Sequence, residues 1–389
     1  MTLHSSTPQH REEPLDEYRL GGYHPMRLGE VVNSRYEVMR KLGWNWGGKY
    51  AALKVMKGKS SFHSCHCVHR PHLAEVTDVP DLHEADYLHR VLSADPTHPG
   101  FRHNLHLLDQ FHIHGPNGNH MCLVTELLGE GLDRYAKQFP RGQLPIKSVK
   151  TIMHQVIMAV SYLHEKCNIL HTDIKSNNIL FALPDGTILP TTPTIPTGTE
   201  VIPNVMVKLI DLGVGMYMID FSFCGVHLFG ITACWADRVE EHFTDLIQSS
   251  ELRAPEVVVG AGWGKPADIW SLGCLVYELA MGEFLISHTV HGISVPHLHA
   301  IFFGPYPRNL TKDGKYSHIF FKDDGMSVLL HPQSERYPLA DRIRKCRPPG
   351  DSDTEGLIQF LDLMLRLDPG ERATLQTLLE HPWLASYYS

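Results

Sequence analysis

Residues 169–181 read ILHTDIKSNNILF, and further on residues 208–213 read KLIDLG. The first stretch sets Asp173 two residues after His171, Lys175 two beyond Asp173 and Asn178 five beyond it, between apolar flanks. The second is an apolar strand that ends on Asp211 and Gly213. Phosphoryl transfer requires such an assortment: one carboxylate to orient and deprotonate an attacking hydroxyl, a second carboxylate and an amide oxygen to hold magnesium, and a cation against the transferring phosphate. Neither segment means much alone, but their order, downstream of a lysine carried on a strand, is specific. That lysine is Lys54 in AALKV, where a strand would fix the ammonium. Glu84, in LHEADYLHRVL, is the acid best placed on a following helix to pair with it, with Glu75 as competitor.

Outward from these residues the pattern changes character along the chain. Residues 1–34 are polar, with turn formers such as GGYHP at 21–25, and read as a tail. YEVMRKLGW from Tyr36, then KYAALKVMK, then CLVTELL at 122–128 read as short strands. After Gly129 the period becomes helical. In SVKTIMHQVIMAVSYLHEK (148–166), Ile152, Val156, Ala159, Val160 and Leu163 fall on one face, and ADIWSLGCLVYELAMG (267–282) and TEGLIQFLDLMLRL (354–367) continue the helical part. PDGTILPTTPTIPTGTEVIPN (184–204) is rich in Pro, Thr and Gly and reads as a flexible insert. The expected fold is α+β and two-lobed, with a small β-rich lobe over 35–128 and a larger helical lobe over 129–384.

In this order the segments resemble eukaryotic protein kinases, and in particular the SR-protein-specific kinases of the CMGC group, with a fungal cast. GGYHPMRLGEVVNSRYEVMRKLGW is similar to that family's entry segment; HTD (171–173) and DLG (211–213) are its usual forms, and ACWAD (233–237), HFTDLIQ (242–248), APE (254–256), DIWSLG (268–273) and LDPGERAT (367–374) complete the series. The resemblance runs from residue 18 to residue 384. It implies a protein-kinase-like fold, ATP and Mg2+ as cofactors, and transfer to Ser in Arg/Ser-rich proteins such as splicing factors. By position it makes Asp173 the catalytic base and Lys175 the phosphate-contacting cation, with Asn178 and Asp211 as magnesium ligands. Lys54, paired with Glu84, would hold the phosphates. Thr125 would back the adenine pocket, with Glu126 to Leu128 as the hinge. Glu256 and Arg372 would form a buried ion pair tying the substrate-binding segment to the helical lobe, and Asp268 would be a structural carboxylate. A monomer working in cytoplasm and nucleus is the accompanying expectation.

Two departures from the family stand out. KLGWNWGGKYAALK leaves ten residues between Leu42 and Leu53, with Gly43, Gly47 and Gly48 as remnants of a glycine-rich loop. A phosphate-covering hairpin needs two strands and a turn, so the β-rich lobe reads as truncated. The family also runs from DLG almost directly into ACW, whereas here Val214 to Thr232 intervenes, apolar and without helical or strand periodicity. Gly215-Met216-Tyr217 can be encoded GGT ATG TAT, which contains the fungal-type donor GTATGT, and Thr232-Ala233 can supply an ACAG acceptor. Joining them yields DLGVACWAD, the family pattern, so the segment reads as a retained intron rather than a functional insertion. The departures leave a second function in view: a pseudokinase or binding scaffold with impaired catalysis.

Composition narrows the partners. A net charge of -8, with 43% hydrophobic and 20% charged residues, describes an ordinary globular protein and argues against unaided nucleic-acid binding, while leaving room for a basic peptide. Eight cysteines without a CxxC spacing, and no basic-then-apolar leader, point to an intracellular chain with reduced thiols. Val214 to Thr232 approaches the length of a membrane span, but it contains Asp220, and a mid-bilayer carboxylate costs about 2.5–3.5 kcal/mol. Among 27 histidines the densest cluster is His63, Cys65, His66, Cys67 and His69. It lacks the two separated ligand pairs of structural zinc, so an irregular loop is preferred and a metal-binding regulator is a distant third function.

Overall fold

The computed structural model describes residues 15–38, 51–57, 80–183, 205–212, 216–217, 247–287, 294–322, 336–348 and 350–385. Two units result: Met1–Asp81 with His106–Leu128 and Leu183–Thr194, and Leu82–Leu105 with Gly129–Ala182 and Ile195–Ser389.

The first unit is built on strands. β1 (Val31–Val32) and β2 (Tyr36–Glu37) form one antiparallel pair; β3 (Ala51–Val55), β4 (Leu107–Gly115) and β5 (Gly118–Glu126) form an antiparallel sheet of order β3-β5-β4. Central β5 buries Cys122, Leu123 and Val124 in succession, as a strand covered on both faces should. Pro116-Asn117 closes the β4–β5 hairpin where Gly115 pairs with Gly118, and Gly118 takes φ 130°, a conformation that suits glycine. The run PNG at 116–118 is the sequence signal for this hairpin. Residues 15–34, expected to be a tail, are tied to it: Gly21 N–H donates to Asn117 O at 2.8 Å, Asn117 Nδ2 to Tyr23 O at 2.6 Å, and Lys57 reaches Glu17 at 2.6 Å.

The second unit is mostly helical. Its α1 (Pro80–Ser93, from Leu82 onward), α2 (Leu132–Ala136) and α3 (Ile146–Tyr162) precede the HTD motif. The five apolar residues picked from the 148–166 pattern are all buried, and α3 runs on through a π-turn at Leu163–Cys167 to Asn168, left-handed at φ 60°. After α4 (Pro255–Val259), α5 (Lys265–Met281) is buried on every side except at Lys265, Pro266 and Glu278. Such all-round burial marks a core helix. A Cβ on its Gly273 would lie 2.8 Å from Leu365, so only glycine allows that approach.

β6 (Leu128–Gly131), β8 (Ile179–Ala182) and β9 (Val207–Leu209) make a sheet of order β6-β8-β9, while β7 (Ile169–Leu170) pairs antiparallel with β10 (Met216–Tyr217). Within the 214–232 segment, Met216–Tyr217 are therefore a strand, although the segment has no strand alternation; a two-residue ladder needs main-chain groups rather than a side-chain pattern. The rest of 214–232, the insert 184–204, the glycines at 43–48 and the cluster at 63–69 lie outside the described residues. Among the described residues no helix is long and apolar enough to cross a membrane, and no three metal-capable side chains gather.

Candidate active site

The HTD turn follows β7 and precedes β8, and its shape is imposed by the start of α5. Asp268, almost wholly buried, accepts His171 N–H and Thr172 N–H at 2.9 Å each and the His164 ring at 2.8 Å. Burial works to raise its carboxyl, but the bond and charge of His164 and the donors at His171 outweigh this and hold it below the usual carboxylate range. These bonds let Thr172, a β-branched residue, keep φ 66°, which costs about 1–3 kcal/mol and aims the next side chain.

That side chain is Asp173. Its Oδ2 accepts Lys175 Nζ at 2.6 Å and Asn178 Nδ2 at 3.1 Å; its Oδ1 accepts Ser249 Oγ at 3.0 Å. Asn178 Nδ2 also donates to Asp173 O at 2.9 Å, and Lys175 Nζ to Ser249 Oγ at 3.3 Å. The carboxylate is thus held on both oxygens. Asp211 is brought alongside by bonds to the main chain of its neighbour: Ile210 N–H donates to Asn178 O at 2.9 Å, and Ile210 O meets the His171 ring at Nε2, 3.0 Å away. Asp211 itself sits at φ 67°. The structure gathers Asp173, Lys175, Asn178 and Asp211 in one place, and adds Ser249, which sequence reading missed.

Ser249 arrives through Gln248. Gln248, whose backbone is at φ 66°, donates through its side chain to Ala267 O at 2.8 Å and Ser271 Oγ at 2.9 Å and accepts Ala254 N–H at 2.9 Å, fastening residues 247–254 to α5. Beyond it Glu256 and Arg372 make a fully buried two-pronged pair, both contacts 2.7 Å, and Arg372 also donates to Pro266 O. Breaking such a pair is far costlier than never making it.

The remaining expected residues belong to other elements. Lys54 is exposed on β3, opposite Leu123, and Thr125 is buried on β5 opposite Ala52. Glu126 N–H donates to His106 O at 3.3 Å and its carboxylate accepts His106 N–H at 2.9 Å; Leu128 opens β6. Glu84 is buried on α1, in the second unit, whereas Lys54 is in the first.

The residues suit a divalent cation. Asn178 commits its amide nitrogen to Asp173, which presents the amide oxygen as its other end, and Asp211 adds a carboxylate; oxygen donors of this kind are what a hard cation takes. The protein kinase domain matches residues 105–384. The chain belongs to that family. It is a serine/threonine protein kinase, and the family carries with it ATP and a divalent metal. It is similar to the serine/threonine-protein kinase SRPK of Physarum polycephalum, at 28% identity over 96% of this chain and 91% of that one. Protein kinase dsk1 of Schizosaccharomyces pombe is 24% identical over 96% and 85%, and the human SRSF protein kinase 3 is 26% identical over 98% and 92%.

Proposed function

We propose that this kinase transfers the γ-phosphoryl group of Mg-ATP to serine hydroxyls flanked by arginine in Arg/Ser-rich proteins. The observation that carries the reading is the Asp173 carboxylate, fixed on both oxygens by Lys175, Asn178 and Ser249. An attacking serine would give its proton to Asp173, while Lys175, 2.6 Å from that carboxylate, neutralises charge on the transferring group. Asn178 and Asp211 would hold the metal, which supplies charge neutralisation of the phosphates when bound. Lys54 would steady the phosphates, with Glu84 as partner, and Thr125, Glu126 and Leu128 would receive the adenine. The relatives named for SR-protein kinases and the net charge of -8 support a basic substrate. On this reading the kinase acts as a monomer in cytoplasm and nucleus, without direct contact to nucleic acid or membrane.

The test is Asp173→Asn assayed on an Arg/Ser peptide. Turnover should fall by about 10² to 10⁴ while ATP affinity is largely retained. Wild-type rates in this variant would remove Asp173 from the mechanism. ATP binding without turnover in the unmodified chain would favour a scaffold.

A further inference from the structure

Glu278 is the one interior residue of α5, after the first turn, that escapes full burial, and the catalytic turn is what it meets. Ser176 Oγ donates to Glu278 Oε1 at 2.7 Å. Ser176 is itself buried and opens the 3₁₀ turn Ser176–Asn178, directly after Lys175. Helix α5 therefore grips the HTD segment twice, through Asp268 at residues 171 and 172 and through Glu278 at residue 176, with Asp173 between the two grips.

We propose that Glu278 is a positioning residue for phosphoryl transfer, acting through Ser176 to hold the turn that carries Asp173, Lys175 and Asn178. The proposal rests on the reading of those residues given above. Glu278 Oε2 is shielded from solvent and has no hydrogen-bond partner among the described residues. A shielded carboxylate with an orphaned oxygen resists ionisation. The groups that face it are Ser176 from the turn, Asp133 from α2 and Lys137 just after it, and Glu251 from the segment before α4. Burial pushes its carboxyl up to about 7, Asp133 and Glu251 add to that, and the Ser176 bond and Lys137 oppose it.

The link to Ser176 strengthens when Glu278 ionises, because a charged acceptor makes the stronger bond. Turnover should therefore rise as pH passes through about 7. Folding stability runs the other way. A carboxyl raised in the folded state contributes stability that is fully present below its unfolded value of 4.5 and is lost as pH climbs to about 7. Opposite slopes of activity and stability distinguish a positioning group from a merely structural one.

The experiment compares wild type, Ser176→Ala, Ser176→Thr, Glu278→Gln and the Ser176→Ala/Glu278→Gln double variant in the full chain across the neutral range. Losing one hydrogen bond to a charged group should lower kcat about tenfold in Ser176→Ala, with KM for ATP and peptide little changed. Ser176→Thr should restore it. Glu278→Gln should lose both the kcat limb near neutrality and the fall in stability, and the double variant should be no worse than the poorer single. Additive losses, or lowered melting temperature with unchanged kcat at every pH, would overturn the proposal. Amide exchange over residues 173–179 gives a readout that needs no turnover: faster exchange confined to this turn in Ser176→Ala supports the link, and unchanged exchange refutes it. A wild type inert toward every peptide counts against the proposed function, and the exchange result still decides whether Glu278 holds the turn.

Discussion

The turn that carries Asp173 and the strand that carries Lys54 reach their positions by different physics. Asp173 sits in an irregular, partly strained turn in which its local contacts with Lys175 and Asn178 are joined by anchors from far along the chain: Asp268, Ser249, Glu278 through Ser176, and Ile210. Lys54 sits on a regular strand, and main-chain pairing of β3 with β5 sets its register while the side chain stays exposed. A pleat aims alternate side chains without tertiary help. A turn at positive φ does not hold itself, so its geometry is only as good as the distant groups that fix it.

The strongest way to break this contrast is Asp268→Ala. It strands two buried amides and the His164 ring, and should cost about 3–5 kcal/mol of stability together with nearly all activity. Asp268→Asn keeps one acceptor and should fall between, as urea titrations of both variants would show. A denaturation midpoint unchanged in Asp268→Ala would mean that the turn holds itself.

Lys54→Met tests the other region. The Lys54 side chain is exposed and an exposed charge contributes about 0–1 kcal/mol to folding, so melting should barely move, whereas loss of the proposed phosphate-holding cation should lower kcat/KM by about 10²-fold. A large drop in melting temperature with unchanged kcat/KM would make Lys54 structural.

The smallest effect concerns acid. In the helical unit burial pushes His103 down to about 4 and His299 down to about 3, with the Val207 carbonyl opposing the first and Arg372 adding to the second. Their neutral forms stabilise the fold fully above 6.5, and that contribution is lost as pH falls toward the folded values. One unit below 6.5 each should cost about 1.4 kcal/mol, and His103→Gln should flatten part of the slope in melts taken across that range. An identical slope in that variant would show that His103 is not buried neutral.

Much of this was legible beforehand because the signals were local. The helical period over 148–166 placed five apolar residues that α3 buries, and the ordered lysine, aspartate and asparagine set pointed to phosphoryl transfer. The β4 strand was missed because LLDQFHIHG mixes polar and apolar residues and shifts register between Leu107 and Asp109, leaving Leu108 outward. Met216–Tyr217 was missed because two residues are too few for a pattern.

What the sequence determined by itself is the inventory: which residue types occur, in which order, on elements whose period can be counted. From that followed the α+β architecture and the phosphoryl-transfer chemistry. What only the tertiary structure decided is which distant side chains complete the turn. Ser249 and Glu278 lie 76 and 102 residues from the groups they bind, Asp173 and Ser176. No short-range pattern records such bonds, since a hydrogen bond depends on a separation of about 3 Å in space and carries no trace in the spacing along the chain.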